Sequence, residues 1–227
     1  MQFSESTLSL LKNLAAINPQ MLFRKGHLLR TVNQGKTILV EATIDESLPT
    51  DFAIHDLNNF LSVLSLDESS DLRITEKEVQ IVSQDQQTTL HYRCCEPGYI
   101  EGPPEKNLKL PTNDCEFLLS EKDLLWVSKC SSVLQSPQIG VSFDGTAVKL
   151  LVLDAQNDAA SVGYRGIHVK TVIGLKPFKA LFKTENWKLI PGEYTVTLSL
   201  KGIGHFQHTT KKLQYWIALE GTSKGSK

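Results

Sequence analysis

The chain states one pattern twice, and this duplication limits what it can fold into more than any other feature. Near the start, a short apolar segment with Phe3 leads into Ser6, Leu8, Leu11, Lys12 and Leu14. Pro19-Gln20 then precedes Met21 to Phe23 and a Lys25-Gly26 turn. Past the middle, Phe117 to Leu119 leads into Ser120, Leu124, Val127 and Lys129. Pro137-Gln138 follows, then Ile139 to Phe143 and an Asp144-Gly145 turn. Strand, helix and hairpin recur in the same order about half a chain apart. A repeat of that length predicts two domains of one architecture, and 227 residues are enough for each to bury its own core.

Helical periodicity is confined to short stretches. In Ser6 to Ala16 the residues Leu8, Leu11, Leu14 and Ala15 share a face, with Glu5, Ser9, Lys12 and Asn13 opposite, and Pro19 ends the helix. Asp56 is placed to cap a second helix running to Ser65, in which Leu57, Phe60, Leu61 and Leu64 follow the i, i+3, i+4, i+7 rule. A third helix is expected from Ser120 to about Ser131. A shorter fourth is expected over Glu185 to Leu189, stopped by Pro191-Gly192.

The rest reads as strand: Thr37 to Ile44, Asp71 to Thr75, Val79 to Ser83, Thr88 to Arg93, Val148 to Leu153, Gly166 to Val172, Tyr194 to Lys201 and Leu213 to Leu219. The fold class is therefore α+β. The domains are expected at 1–95 and 113–220, joined by an extended Pro/Gly-rich connector over 96–112 and followed by a flexible Ser/Lys/Gly tail at 221–227.

Enzyme chemistry leaves no mark on this sequence. Gly202 and Gly204 in KGIGH lack the third glycine and helix start of a dinucleotide loop and read as a hairpin turn. His205 and His208 are three apart, which on a strand puts them on opposite faces and argues against a shared metal. Cys94, Cys95, Cys115 and Cys130 have no zinc or disulfide spacing and read as reduced, structural residues. No cofactor or metal is expected. A formal charge of −1 excludes gripping nucleic acid over the whole surface but leaves a local basic lining open. No apolar run approaches the roughly 18 residues of a membrane span, and no export signal is visible.

Several separate segments, in order, resemble the DNA polymerase sliding clamp family of T-even-like bacteriophages. They are LLKNLAAINPQMLFRKG (Leu10 to Gly26), FAIHDLNNFLSVLSL (Phe52 to Leu66), WVSK (Trp126 to Lys129), NWKLIPGEY (Asn186 to Tyr194) and YWIALE (Tyr215 to Glu220). The likeness is loose in the connector and around Asp67 to Gln87. It implies a non-catalytic, homotrimeric ring of six similar domains, with strands in an outer collar and helices lining a hole that encircles duplex DNA. It also implies a cytoplasmic protein of the infected host. Its partners would be the C-terminal peptide of the replicative polymerase, a clamp-loader ATPase and late-transcription factors.

By helix face, the residues then expected to face DNA are Lys12, Asn13, Lys122, Trp126, Lys129, Lys183 and Lys188, with Trp126 standing where the family is typically basic. The edge strands Thr88 to Arg93 and Gly166 to Val172 would join subunits through Leu90, Tyr92, Ile167 and Val169. A partner-peptide pocket would involve Tyr99, Ile100, Trp216, Ala218 and Leu219. A monomeric two-domain binding module without DNA encirclement is the alternative reading of the same duplication.

Overall fold

Ser4, with extended backbone, starts the first helix of the chain. Its hydroxyl accepts a hydrogen bond from the Thr7 backbone N–H, so α1 (Glu5–Ala15) begins slightly earlier than its apolar periodicity suggests. The computed structural model describes residues 1–67, 69–104, 108–157, 159–167, 169–172, 176–221 and 224–225, with 169–172 and 224–225 described by backbone alone. The chain divides into two units, Met1–Glu105 and Lys106–Lys227.

In the first unit α1 is followed by β1 (Met21–Phe23), β2 (Gly26–Val32), β3 (Ile38–Leu48), β4 (Phe52–Ile54), α2 (Leu57–Leu64), β5 (Asp71–Ile74), β6 (Glu78–Val82) and β7 (Thr89–Arg93). β1 pairs antiparallel with β4, β2 with β3, and β5, β6 and β7 form a small antiparallel sheet in that order. Leu11 and Leu14 of α1, Leu57 and Phe60 of α2, and Phe23 and Phe52 are all buried. The last two rings stack with centroids 4.4 Å apart. Each such side chain contributes about 1.5–3 kcal/mol when fully removed from water, which outweighs the weak intrinsic stability of helices this short. Asp56 caps α2 as expected, its carboxylate accepting from the Asn59 N–H at 2.9 Å.

The second unit contains β8 (Cys115–Leu119), α3 (Glu121–Leu134), β9 (Gln138–Phe143), β10 (Val148–Leu153), β11 (Gly163–Ile167), β12 (Val169–Val172), β13 (Phe178–Lys183), β14 (Tyr194–Ser199), β15 (Ile203–His208), β16 (Leu213–Ala218) and the two-residue β17 (Lys224–Gly225). One sheet runs β11-β10-β9-β13, with β17 beside β13; another runs β12-β8-β14-β15-β16. All of these pairings are antiparallel. α3 packs on β9, β10 and β11. The repeat is visible in the pairing: β1 with β4 in the first unit corresponds to β9 with β13 in the second, and β1 and β9 each directly follow a helix. At Gly140 the backbone of β13 comes so close that a Cβ would stand 2.8 Å from the Ala180 carbonyl oxygen.

Four sequence expectations are corrected. The Lys25-Gly26 turn makes no hairpin, because β1 pairs with β4 and β2 with β3; in the second unit the Asp144-Gly145 hairpin forms between β9 and β10. The segment Glu185 to Leu189 is not a helix; only a 3-10 turn forms, over Thr184–Asn186. Trp187 is drawn into a ring cluster with Phe182 and Phe206, at 5.7 and 5.3 Å, and Pro191 disfavours helical backbone at Ile190, so no room is left for a second turn. Gly166 to Val172 is not one strand. β11 pairs with β10 and β12 with β8, so the chain changes sheets between them. Phe3 belongs to no strand, although Met1 exchanges backbone hydrogen bonds with Leu72 of β5. The tail positions 222–223 and 226–227 and the connector positions 105–107 lie outside the described residues.

Candidate nucleic-acid interface

The polar faces of the helices are the natural place to look for a surface that meets DNA, because their apolar faces are spent on the core. On α1, Thr7, Leu11, Leu14 and Ala15 face inward and Lys12 is exposed in the last turn, where a cation also complements the helix dipole. Asn13 is half-buried and engaged within the protein. α2 presents Asn58, Asn59 and Ser62, polar and uncharged, on its outer side. In α3, Leu124, Val127 and Ser131 are buried, and Lys122 and Lys129, seven residues apart, share the opposite, exposed face. Leu125 and Val133, 51% and 73% exposed, lie on that face too, which makes it less basic and more apolar than lysines alone would give.

Trp126 is not on the open face. It is half-buried on the flank of α3, with the Arg165 guanidinium 5.6 Å from its ring centroid, and Arg165 in turn ion-pairs with Asp123. Its surroundings are those of a packed side chain. Lys183 ends β13 and forms an exposed ion pair with Glu185 at 3.3 Å. Lys188 is exposed but follows the 3-10 turn and lies on no helix, so the helix-face reason for choosing it does not hold.

The strand edges differ between the units. β7 is the last strand of its sheet, and among the described residues nothing pairs with its outer side. Leu90 and Tyr92 are half-buried, and Tyr92 turns inward, its ring 5.0 Å from Phe60 and its hydroxyl donating to the Asp56 carbonyl at 3.1 Å. β11 is likewise an edge. Ile167 sits on it, half-buried, whereas Val169 belongs to β12 and its side chain lies outside the described residues. Sequence reasoning missed Val162 and Tyr164, 42% and 63% exposed, just before and on β11. Their signal was the apolar residue beside glycine in SVGYRG, hidden because the strand was expected to start later.

At the expected peptide pocket, Tyr99 is 76% exposed while Ile100 is buried. Trp216 is buried with its ring stacked on His205, and Ala218 and Leu219 are half-buried at the end of β16. A cleft of about 240 Å³ in the first unit is lined instead by Leu22, Arg24, Leu28, Arg30, Gly102 and Pro103. Next to Gly102 in the chain, Glu101 makes an exposed ion pair with Lys36 at 2.6 Å. Burial pushes the thiols of Cys94 and Cys115 up to about 11 and about 12, which leaves them poor nucleophiles. Among the described residues, no helix is long and apolar enough to cross a membrane, and no group of three or more His, Cys, Asp or Glu gathers as a metal site.

Residues 4–97 match the family described as DNA polymerase processivity factor. The sliding clamp of Vibrio phage KVP40 is 32% identical over 97% of this chain and 99% of its own length. This chain belongs to the sliding-clamp family. The sliding clamps of Enterobacteria phage T4 and Escherichia phage RB69 are each 27% identical over 98% of both chains. The clamp architecture extends to structures of low sequence identity. Proliferating cellular nuclear antigen from Entamoeba histolytica superposes with a TM-score of 0.66 at 17% identity, covering 94% of each chain. Its counterpart from Thermococcus kodakaraensis gives 0.68 at 16% identity, covering 96% of this chain and 98% of the other. At those identities the likeness speaks for the clamp fold alone.

Proposed function

We propose that the chain is a processivity factor that closes as a homotrimeric ring around duplex DNA and tethers a replicative DNA polymerase, without catalysing a reaction and without a cofactor. The observation that carries this reading is the pairing of full-length clamp similarity with the helix faces: Lys12, Lys122 and Lys129 are exposed opposite buried apolar stripes. A ring holds DNA by topology, so a few lysines per chain suffice, and weak phosphate contacts leave it free to slide. The edges of β7 and β11 are the surfaces at which neighbouring copies would add strands, with Leu90, Tyr92 and Ile167 near the join. A short peptide at the polymerase C-terminus would dock by the connector, where Tyr99 is the exposed anchor. A clamp-loader ATPase, late-transcription factors and the host cytoplasm complete the proposal.

Light scattering behind size exclusion tests it first. A molar mass that converges with loading concentration on three times 25.3 kDa, together with retention on nicked circular but not linear DNA, is the expected result. A single-chain mass at every concentration would remove the ring and leave a monomeric two-domain binding module.

A further inference from the structure

β11 is an edge strand, hydrogen-bonded on one side to β10, so its position depends on what holds its face. Three contacts with α3 do so. Gly163 lies so close to the helix that a Cβ there would stand 2.6 Å from Cys130 Sγ and 3.4 Å from the Trp126 ring. Two residues on, and therefore on the same face, the Arg165 guanidinium covers Trp126 and its Nε donates to Asp123. The Asp123 carboxylate is itself fixed at the start of α3, accepting from the Ser120 hydroxyl at 2.6 Å while the Asp123 N–H donates to that hydroxyl. Tyr164, between Gly163 and Arg165, points the other way and is exposed. One face of the strand is thus clamped to the helix, and among the described residues nothing pairs with its outer edge.

From this we infer that Arg165 is a positioning residue for ring closure. Its ion pair with Asp123 holds the β11 edge on α3 in the place where a second copy of the chain adds its strand. The inference rests on the ring reading. The pair is half-buried, and a guanidinium that bridges a carboxylate and an aromatic face is replaced poorly by lysine. Because the same helix carries Lys122 and Lys129 on its far side, the edge and the proposed DNA face share one rigid support.

The test is a cycle of Arg165→Met, Asp123→Asn and the double variant, each followed by molar mass against concentration and by far-UV circular dichroism with urea unfolding. Expected is a rise of roughly tenfold in the concentration at which trimers dissociate for each single variant. The double variant should fall well short of the product of the two single effects, because the ion pair is common to both, although Arg165→Met also uncovers Trp126. Circular dichroism should stay unchanged. Arg165→Lys, which keeps the charge and the aliphatic stem, should fall between wild type and Arg165→Met and serves if the methionine variant does not fold. A merely structural role would shift the urea midpoint and leave the mass curve in place, and that result overturns the inference, as do single effects that multiply in the double variant. A wild-type protein that stays monomeric overturns the ring reading and this inference together, so the two failures are distinguishable.

Discussion

The ring of Tyr92 on β7 meets the ring of Phe60 on α2 edge-on, with centroids 5.0 Å apart and planes at 67°. A residue expected to contact a neighbouring subunit is therefore also the residue that closes its own core, and the two roles separate by substitution. Tyr92→Ala should destabilise the first unit by about 2 kcal/mol, less than a fully buried aromatic because the side chain is half-exposed. Tyr92→Phe, which loses only the hydrogen bond to the Asp56 carbonyl, should cost about 1 kcal/mol or less. Urea unfolding measures both. A Tyr92→Phe variant that assembles normally would assign the contact at the ring edge to the aromatic face and not the hydroxyl.

Glu46 of β3 ties the sheet to the start of α1. Burial raises its pKa, but hydrogen bonds from the Ser4 N–H at 2.5 Å and the Thr7 hydroxyl at 2.7 Å outweigh that and lower it below 4.5. A carboxylate whose folded pKa is depressed adds stability above its unfolded value, and this is lost as pH falls through the folded value. Stability measured by urea unfolding should therefore drop as pH falls below about 4.5, and Glu46→Gln should flatten that part of the profile. An acid limb of unchanged slope in the variant would mean that other carboxylates govern it.

Lys12, Lys122 and Lys129 sit on solvent-facing sides of α1 and α3, so replacing them should touch function and leave folding alone. The triple alanine variant should unfold within about 0.5 kcal/mol of wild type. Its affinity for duplex DNA should fall, and the salt slope of binding should shrink by roughly one for each lost phosphate contact. Filter binding across a salt series reads both. An unchanged slope would place these lysines away from DNA.

Elements built from local signals were legible in the sequence, and elements built from distant contacts were not. Asp56 and Ser120 announced their helices because a cap and an apolar period are written within a few residues. The missing fourth helix depends on Phe206, far along the chain, pulling Trp187 into a ring cluster. The split of β11 from β12 depends on which partner each finds, β10 or β8, and β-branched content says nothing about that. β2 escaped notice because Leu28 at its start is 43% exposed, so its burial alternates poorly. The same division runs through the candidate site. The exposure of Lys12, Lys122 and Lys129 follows from helical period alone, whereas the flank position of Trp126 is set by Arg165, whose partner Asp123 is 42 residues away.

The partner surface gives the last prediction, because its expected residues differ sharply in burial. Ile100 is 7% exposed and Tyr99 76%, although they are adjacent, so substituting the first disturbs packing while substituting the second changes only what solvent or a partner meets. Tyr99→Ala should leave the unfolding midpoint unchanged and weaken binding of the polymerase C-terminal peptide several-fold, as loss of an aromatic anchor does. Ile100→Ala should cost about 2–4 kcal/mol of stability, so any loss of peptide binding in it carries no information about contact. Leu28→Glu, in the lining of the cleft with Gly102 and Pro103, tests that cleft. Peptide binding by fluorescence anisotropy then separates the two surfaces. Weakening by Tyr99→Ala alone places the peptide at Tyr99, and weakening by Leu28→Glu alone places it in the cleft.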